Sequence, residues 1–362
     1  MTAPLALQAL TPEALVQAAP ACSLAEARKV VAMVHRDEPV HATSRVSRHA
    51  AAAVQAIGHV PGLIVDEVAA SAIDPFVKYR LRTSDGHAVE TVRIPLERAG
   101  RFSVCVSSQV GCALACAFCA TGRLGLTRNL AAWEIVEQVR VVRRGLPAGA
   151  RAHGVVFQGM GEPLANLDAV LAAIAVLHDP CALGIDARSI TVCTSGLPAG
   201  IRRLAREAPM VRLGWSLGSA RPPVRRSLMP IAGAHAWDDV FAAGVEHAEL
   251  TGHAPMWAVT LLDGVNDSPD DAAALAAAAH AFADRTGRRP RLSIIAYNEI
   301  GAGPAGQADP FKRARADAER AFCDVLGRAG LPFHRRYSGG GDVAAACGQL
   351  AARAGAPALP TP

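Results

Sequence analysis

The spacing of apolar positions changes character twice along the chain. Residues 1 to about 72 alternate short helical patterns with polar joints. Thr11-Pro12-Glu13-Ala14 and Ser23-Leu24-Ala25-Glu26 read as helix starts, the second as a capping box in which serine and glutamate satisfy each other's backbone donors. Over 77–94 the period becomes two, broken by Ser84-Asp85-Gly86, which predicts a β-hairpin. Strand-like runs then start near Phe102, Gly154, Ser189, Val211, Pro255 and Arg291. Between and after them, amphipathic helices are expected over 131–146, 167–178, 237–251, 270–284 and 309–330. Six strand–helix units in succession predict an α/β fold with a parallel sheet, most simply an open or partial (β/α) barrel. Chemistry in such a barrel gathers at the C-terminal ends of the strands. After Arg335 comes Ser338-Gly339-Gly340-Gly341-Asp342, then a short helix carrying Cys347. The glycine run predicts a mobile tail. The expected organisation is a helical accessory domain over 1–72, a hairpin extension over 73–98, the barrel over 99–337 and the tail over 338–362.

Composition fits this picture. The 362 residues are 51% hydrophobic and 19% charged, enough for a large core, which excludes a disordered or collagen-like chain. At roughly 150 residues per domain the length suggests about two domains. Lys and Arg number 37 against 32 Asp and Glu, a net +5 that permits an anionic partner without demanding one. Lysine occurs only at Lys29, Lys78 and Lys312. That arginine excess suits phosphate recognition, but the codon bias of a GC-rich genome is the preferred reading. His35, Arg36, His41, Arg45, Arg48 and His49 make the N-terminal segment basic, as a nucleic-acid-contacting face or an ordinary solvated one. No apolar stretch reaches the ~18 residues of a membrane span, and no signal peptide is visible. A cytoplasmic protein with reduced thiols and no membrane contact is expected.

Nine cysteines are present, and they are clumped. Following the first barrel strand, Gly111-Cys112-Ala113-Leu114-Ala115-Cys116-Ala117-Phe118-Cys119 has the spacing C-x3-C-x2-C. Three thiolates on one tight loop can hold three corners of a cubane iron–sulfur cluster, and small neighbours let the backbone wrap it. The missing fourth cysteine leaves one iron open. Structural zinc is the competing reading, but it calls for four ligands and the loop has no second pair.

The loop resembles that of the radical S-adenosylmethionine (SAM) enzymes, which share the partial-barrel fold. The resemblance implies a 4Fe–4S cluster held by Cys112, Cys116 and Cys119, with SAM chelated at the open iron. Four further stretches narrow it. Cys105-Val106-Ser107-Ser108-Gln109-Val110-Gly111-Cys112, Arg128-Asn129-Leu130, Gly159-Met160-Gly161-Glu162-Pro163-Leu164 and Ala345-Ala346-Cys347-Gly348-Gln349-Leu350 are similar to the RlmN group of RNA adenine methyltransferases. The match runs from about residue 89 to 350.

That resemblance implies methylation of an adenosine carbon in ribosomal or transfer RNA, at carbon 2 or, in sister enzymes, carbon 8. Such a carbon is electron-poor and cannot displace a methyl group from SAM, whereas a carbon radical can add to it. By motif position Cys347 matches the cysteine that first carries the methyl group. Cys105 matches the one that resolves the protein–RNA adduct, leaving a transient disulfide. Glu90 corresponds to the family's general base. Gly161, Glu162, Cys193, Ser216, Leu217, Gly218 and Asn298 map to SAM-binding positions, with cysteine at 193 where the family usually has serine. Taken without the resemblance, Cys105 reads as a buried strand residue, Cys347 as a helix filler and Glu90 as a solvated strand glutamate. Cys181 and Cys323 are assigned to packing.

The pattern breaks at Gly218-Ser219-Ala220-Arg221, at Gly340-Gly341-Asp342 and at Leu126, all where substrate would be gripped. The expected function is therefore a monomeric radical SAM RNA methyltransferase fed by a cytosolic electron donor. A tailoring methylase of a small molecule or peptide and a zinc-stabilised nucleic-acid-binding module are the rivals.

Overall fold

The computed structural model describes residues 4–301 and 308–351. Two short strands, β1 (Leu5–Ala6) and β2 (Gly58–His59), pair in parallel around helices α1 (Pro12–Ala18), α2 (Leu24–His35) and α3 (Arg48–Ile57). The capping box is present: Ser23 N–H donates to Glu26 Oε2 at 2.9 Å, and Glu26 N–H to Ser23 Oγ at 3.4 Å. Glu26 also accepts the N–H of Ser47, the residue that caps α3. One carboxylate thus ties two helix starts together. Leu15, Val30, Val31, Val34 and Val54 form a core of their own beneath these helices.

The stretch expected to be helical through residue 72 ends at Ile57. Beyond it β3 (Ile64–Ala70) joins the main sheet, because Ile64-Val65 and Val68 suit a pleated surface better than a helix. The predicted hairpin follows as β4 (Val77–Arg82) and β5 (Ala88–Pro95), then β6 (Arg101–Val106). Next come a small hairpin, β7 (Gln109–Cys112) and β8 (Gly125–Asn129), and helix α4 (Ala132–Arg144). The alternation continues as β9 (Arg151–Phe157), α5 (Leu167–His178), β10 (Ile190–Thr194), α6 (Pro198–Glu207) and β11 (Arg212–Ser216). It closes through α7 (Pro222–Leu228), α8 (Trp237–Thr251), β12 (Met256–Leu261), α9 (Pro269–Thr286), β13 (Arg291–Ala296), α10 (Ala316–Arg328) and β14 (Phe333–Arg336).

The ten-stranded sheet has the order β14-β13-β12-β11-β10-β9-β6-β5-β4-β3. It is parallel from β14 to β6 and antiparallel from β6 to β3. Its two end strands do not pair with each other, so the sheet is open, as expected of a partial barrel. Under α8 and α9, Trp257 packs edge-on against Trp215 and Phe282, with centroids 5.5 and 5.4 Å apart. The helical core docks on the barrel through Arg140 of α4, whose Nη2 meets Asp37 at 2.5 Å and the Val34 carbonyl at 2.9 Å.

Three expectations near the C-terminus need correction. The helix placed at 309–330 begins only at Ala316. Asp309 instead accepts the Tyr297 hydroxyl at 2.7 Å and the Ile300 N–H at 3.0 Å, and Pro310 disfavours helical backbone before it. No helix carries Cys347: a single 3-10 turn, Gly341–Val343, precedes it. The glycine run is packed. A side chain at Gly339 would come within 2.4 Å of the Phe76 ring. Asp342 accepts the Ser71 hydroxyl at 2.7 Å and the Ala72 N–H at 2.8 Å, stitching this segment to the β3–β4 connection. The rest of the expected tail, 352–362, lies outside the described residues.

Candidate active site

At the C-terminal ends of β9 to β13 the strands and the cysteine loop enclose a cavity with about 970 Å³ of empty space, counting its open mouth. Cys112, Cys116 and Cys119 all line it. Their loop is braced from two directions: Ala117 N–H donates to the Leu228 carbonyl at 2.9 Å, and Ala120 N–H to the Gly348 carbonyl at 2.7 Å. Burial pushes the Cys112 thiol up to about 11 and the Cys116 thiol up to about 12, and raises Cys119. Bare thiolates are costly there, and a metal that replaces the proton relieves the cost. Among the described residues, no three His, Cys, Asp or Glu side chains converge as ligands of one ion would. Three soft thiols spread over one cavity wall suit the separate irons of a cluster.

Opposite the loop stands the turn after β9. Gly161 has φ +102°, and a side chain there would come within 2.6 Å of Gln109 Cβ, so only glycine fits. Glu162 donates its N–H to Gln109 Oε1 at 2.8 Å. Its carboxylate accepts Leu164 N–H at 3.0 Å and Ser195 N–H at 2.9 Å. Burial outweighs these bonds and raises the carboxyl to about 7. Cys193, Ser216 and Gly218 also line this cavity. Leu217 does not: its side chain is in the core and its N–H binds the Ala258 carbonyl at 2.9 Å.

Asn298 does not line the cavity either. Its amide donates to Ser338 Oγ at 3.1 Å and to the Cys347 carbonyl at 3.2 Å, while Ser338 Oγ accepts the Cys347 N–H at 2.9 Å. These three bonds place Cys347 on the wall between the first cavity and a second, smaller one. Cys105 lines only the second, together with Gln158, Arg336 and Tyr337. Burial pushes the Cys105 thiol up to about 12. The Arg336 guanidinium, bonded to Gln158 Oε1 at 2.9 Å, lies within electrostatic reach of Cys347, Cys193 and Cys105. All nine cysteines are free thiols.

Glu90 is not brought to either cavity. It is 1% exposed, 3.0 Å from Lys78 Nζ, and accepts the Ala351 N–H at 2.9 Å. It belongs to a third cavity with Glu67, Lys78 and Gln349. The sheet still relates it to Cys105: Val92, two residues along the same face, is the cross-strand partner of Cys105.

Sequence reasoning missed Gln109, Arg225 and Arg336. Arg225 is 1% exposed and donates to the Ser216, Leu217 and Ser195 carbonyls, fixing two strand ends at the rim. Nothing in Pro222-Pro223-Val224-Arg225-Arg226 separates it from a surface arginine. Cys181 and Cys323 pack away from the cavities.

The fold and this cysteine-lined cavity define a class. A family model for the radical SAM superfamily matches residues 106–253. A radical SAM methyltransferase from Sphaerobacter thermophilus superimposes with a TM-score of 0.84 at 34% identity, covering 97% of this chain and 100% of that one. A probable RNA methyltransferase from Sorangium cellulosum is 60% identical over 91% of this chain and 88% of its own length. The dual-specificity RNA methyltransferase RlmN of Syntrophobacter fumaroxidans is 40% identical over 78% of this chain and 79% of its own. The chain belongs to the radical SAM RNA methyltransferases of the RlmN type.

Proposed function

We propose that this enzyme methylates an adenosine ring carbon in ribosomal or transfer RNA, carbon 2 ahead of carbon 8, through an S-methylcysteine on Cys347. The observation that carries the reading is the shared wall. Cys347 faces the cavity of the three loop cysteines on one side and the cavity of Cys105 on the other.

Cys112, Cys116 and Cys119 would hold a 4Fe–4S cluster, and Glu162 would receive the ammonium group of SAM. Bound together, cluster and SAM supply a transferable methyl group and a hydrogen-abstracting radical. Ser216, Gly218 and Cys193 shape the wall beside SAM. Leu217 anchors that wall from the core, and Asn298 acts through the Cys347 loop. The Cys347 thiol gives up its proton to take a methyl group and then presents that group to the base. Once the methylene carbon is bonded to the base, Glu90 accepts the ring proton and Cys105 attacks the Cys347 sulfur. The sulfur–carbon bond breaks with its electron pair passing to the methylene carbon, which takes up the proton released by the Cys105 thiol to become the methyl group. A Cys105–Cys347 disulfide forms, and the odd electron left by the radical addition would return to the cluster. Glu90 must first loosen its bonds to the Ala351 N–H and to Lys78 Nζ, which engage both of its oxygens. The reading carries with it a cytoplasmic monomer and an electron-donor protein. Among the described residues, no helix is long and apolar enough to cross a membrane.

Mass spectrometry of nucleosides from ribosomal and transfer RNA, with and without the gene, tests this. Loss of 2-methyladenosine is expected. Loss of 8-methyladenosine would move the target carbon, and unchanged RNA would refute the reading.

A further inference from the structure

The chain has three tyrosines, nine phenylalanines and four tryptophans, all within the described residues. Every one is buried or half-buried except Tyr337, which is 66% exposed. Its position is as unusual as its exposure. It directly follows β14 and lines the second cavity together with Cys105 and Cys347. The ring is also fixed. Its hydroxyl donates to Asp74 Oδ2 at 2.7 Å, the same oxygen that accepts the Gly340 N–H at 2.8 Å. Phe76 meets it edge-to-face, with centroids 6.3 Å apart and planes at 73°.

Tyr337 touches the core through this edge contact with Phe76 and leaves most of its ring in water. A held, solvent-facing ring is useful to a ligand with a flat face. Unpaired RNA bases are such ligands: they are splayed from their strand, stacked on aromatic rings and read along their polar edges. The same cavity offers Arg336 and Ser338 as edge partners. We propose that Tyr337 is the stacking platform for an unpaired base of the RNA substrate, at the mouth of the cavity holding Cys105 and Cys347. This rests on the RNA methyltransferase reading above and adds the residue that seats the base.

The test uses the full chain, purified without oxygen with its cluster, and a short single-stranded oligoadenylate, with an RNA duplex of equal length as control. Tyr337→Ala should weaken single-strand affinity roughly ten- to a hundredfold, the range for losing one base–aromatic stack. Duplex binding should not change, and Tyr337→Phe should keep most of the affinity. Tyr337→Trp should bind at least as well as the wild type, and its added fluorescence should be quenched by the single strand. Wild-type affinity in Tyr337→Ala, or unquenched fluorescence in Tyr337→Trp while RNA is bound, would overturn the platform and leave the methyltransferase reading standing. A wild-type protein that neither binds nor methylates RNA would overturn both.

Discussion

The two cavities that meet at Cys347 are built on opposite electrostatic plans. The larger is lined by five thiols and one carboxyl, Glu162, with no lysine, arginine or histidine. The smaller is lined by one guanidinium, Arg336, with no carboxylate. A buried acid with no cation beside it favours a ligand that brings positive charge, such as an ammonium or sulfonium group. A half-buried cation with no acid lining its chamber favours negative charge, such as a thiolate. The two chambers thus differ in the sign of the single charged residue that lines each. The sulfur on their common wall faces both.

The largest effect available is to empty the first chamber. Replacing Cys112, Cys116 or Cys119 with Ala should bleach the brown ~400 nm absorbance of an iron–sulfur protein and abolish methyl transfer. A full cluster in all three variants would mean that these thiols do not hold it.

The next test separates the chambers. Cys347→Ala removes the group common to both and should leave the protein inactive with RNA free. Cys105→Ala removes a group of the second chamber alone. It should stall after the methylene has bonded to the base, giving a nuclease-sensitive covalent protein–RNA band on a denaturing gel. The adduct appearing in Cys347→Ala instead would exchange the two roles.

A smaller effect concerns the acid. The Glu162 carboxyl sits near 7, above its ordinary 4.5, because burial disfavours its charge. Below about pH 7 it is neutral and cannot offset an ammonium group, so SAM affinity should fall about tenfold per pH unit there and level off above. Equilibrium dialysis measures this, and Glu162→Gln should flatten the profile. Affinity that rises as the pH falls would reverse the sign assigned to the chamber.

The smallest effect lies far from both cavities. Arg45 and Arg48 are exposed on the N-terminal helical segment, with no ion pair to either among the described residues. If that face meets phosphates, replacing both with Gln should lower the slope of log affinity against log salt by about 0.7–0.9 for each phosphate no longer neutralised. An unchanged slope would leave RNA binding to the barrel.

How much of this was legible in the sequence depended on the range of the interactions. Helices α5 and α8 run over their predicted residues because their signal is local apolar periodicity. The capping box at Ser23 was legible for the same reason. The start of α10 was not, because Asp309 is held by Tyr297 and Ile300 across the cavity rim. Within the site, the cysteine loop announced itself by spacing, and Gly161 and Glu162 by motif. Arg225 and Arg336 carried no local mark. Each is defined by distant groups, strand-end carbonyls in one case and thiols from separate elements in the other. Asn298 was expected beside the cofactor, but its amide reaches the loop of Cys347.

The bonds among Asn298, Ser338 and Cys347 close the neck of a loop that leaves the barrel at Ser338 and returns at Cys347. Residues inside such a loop can drift without moving the atom at its neck. The departure from the family pattern at Gly340-Gly341-Asp342 falls inside it, and Gly341 and Asp342 face outward. Exposed positions such as 341 and 342 can therefore differ among relatives at little cost to the Cys347 backbone, which is held at the neck and not at the loop's outer edge.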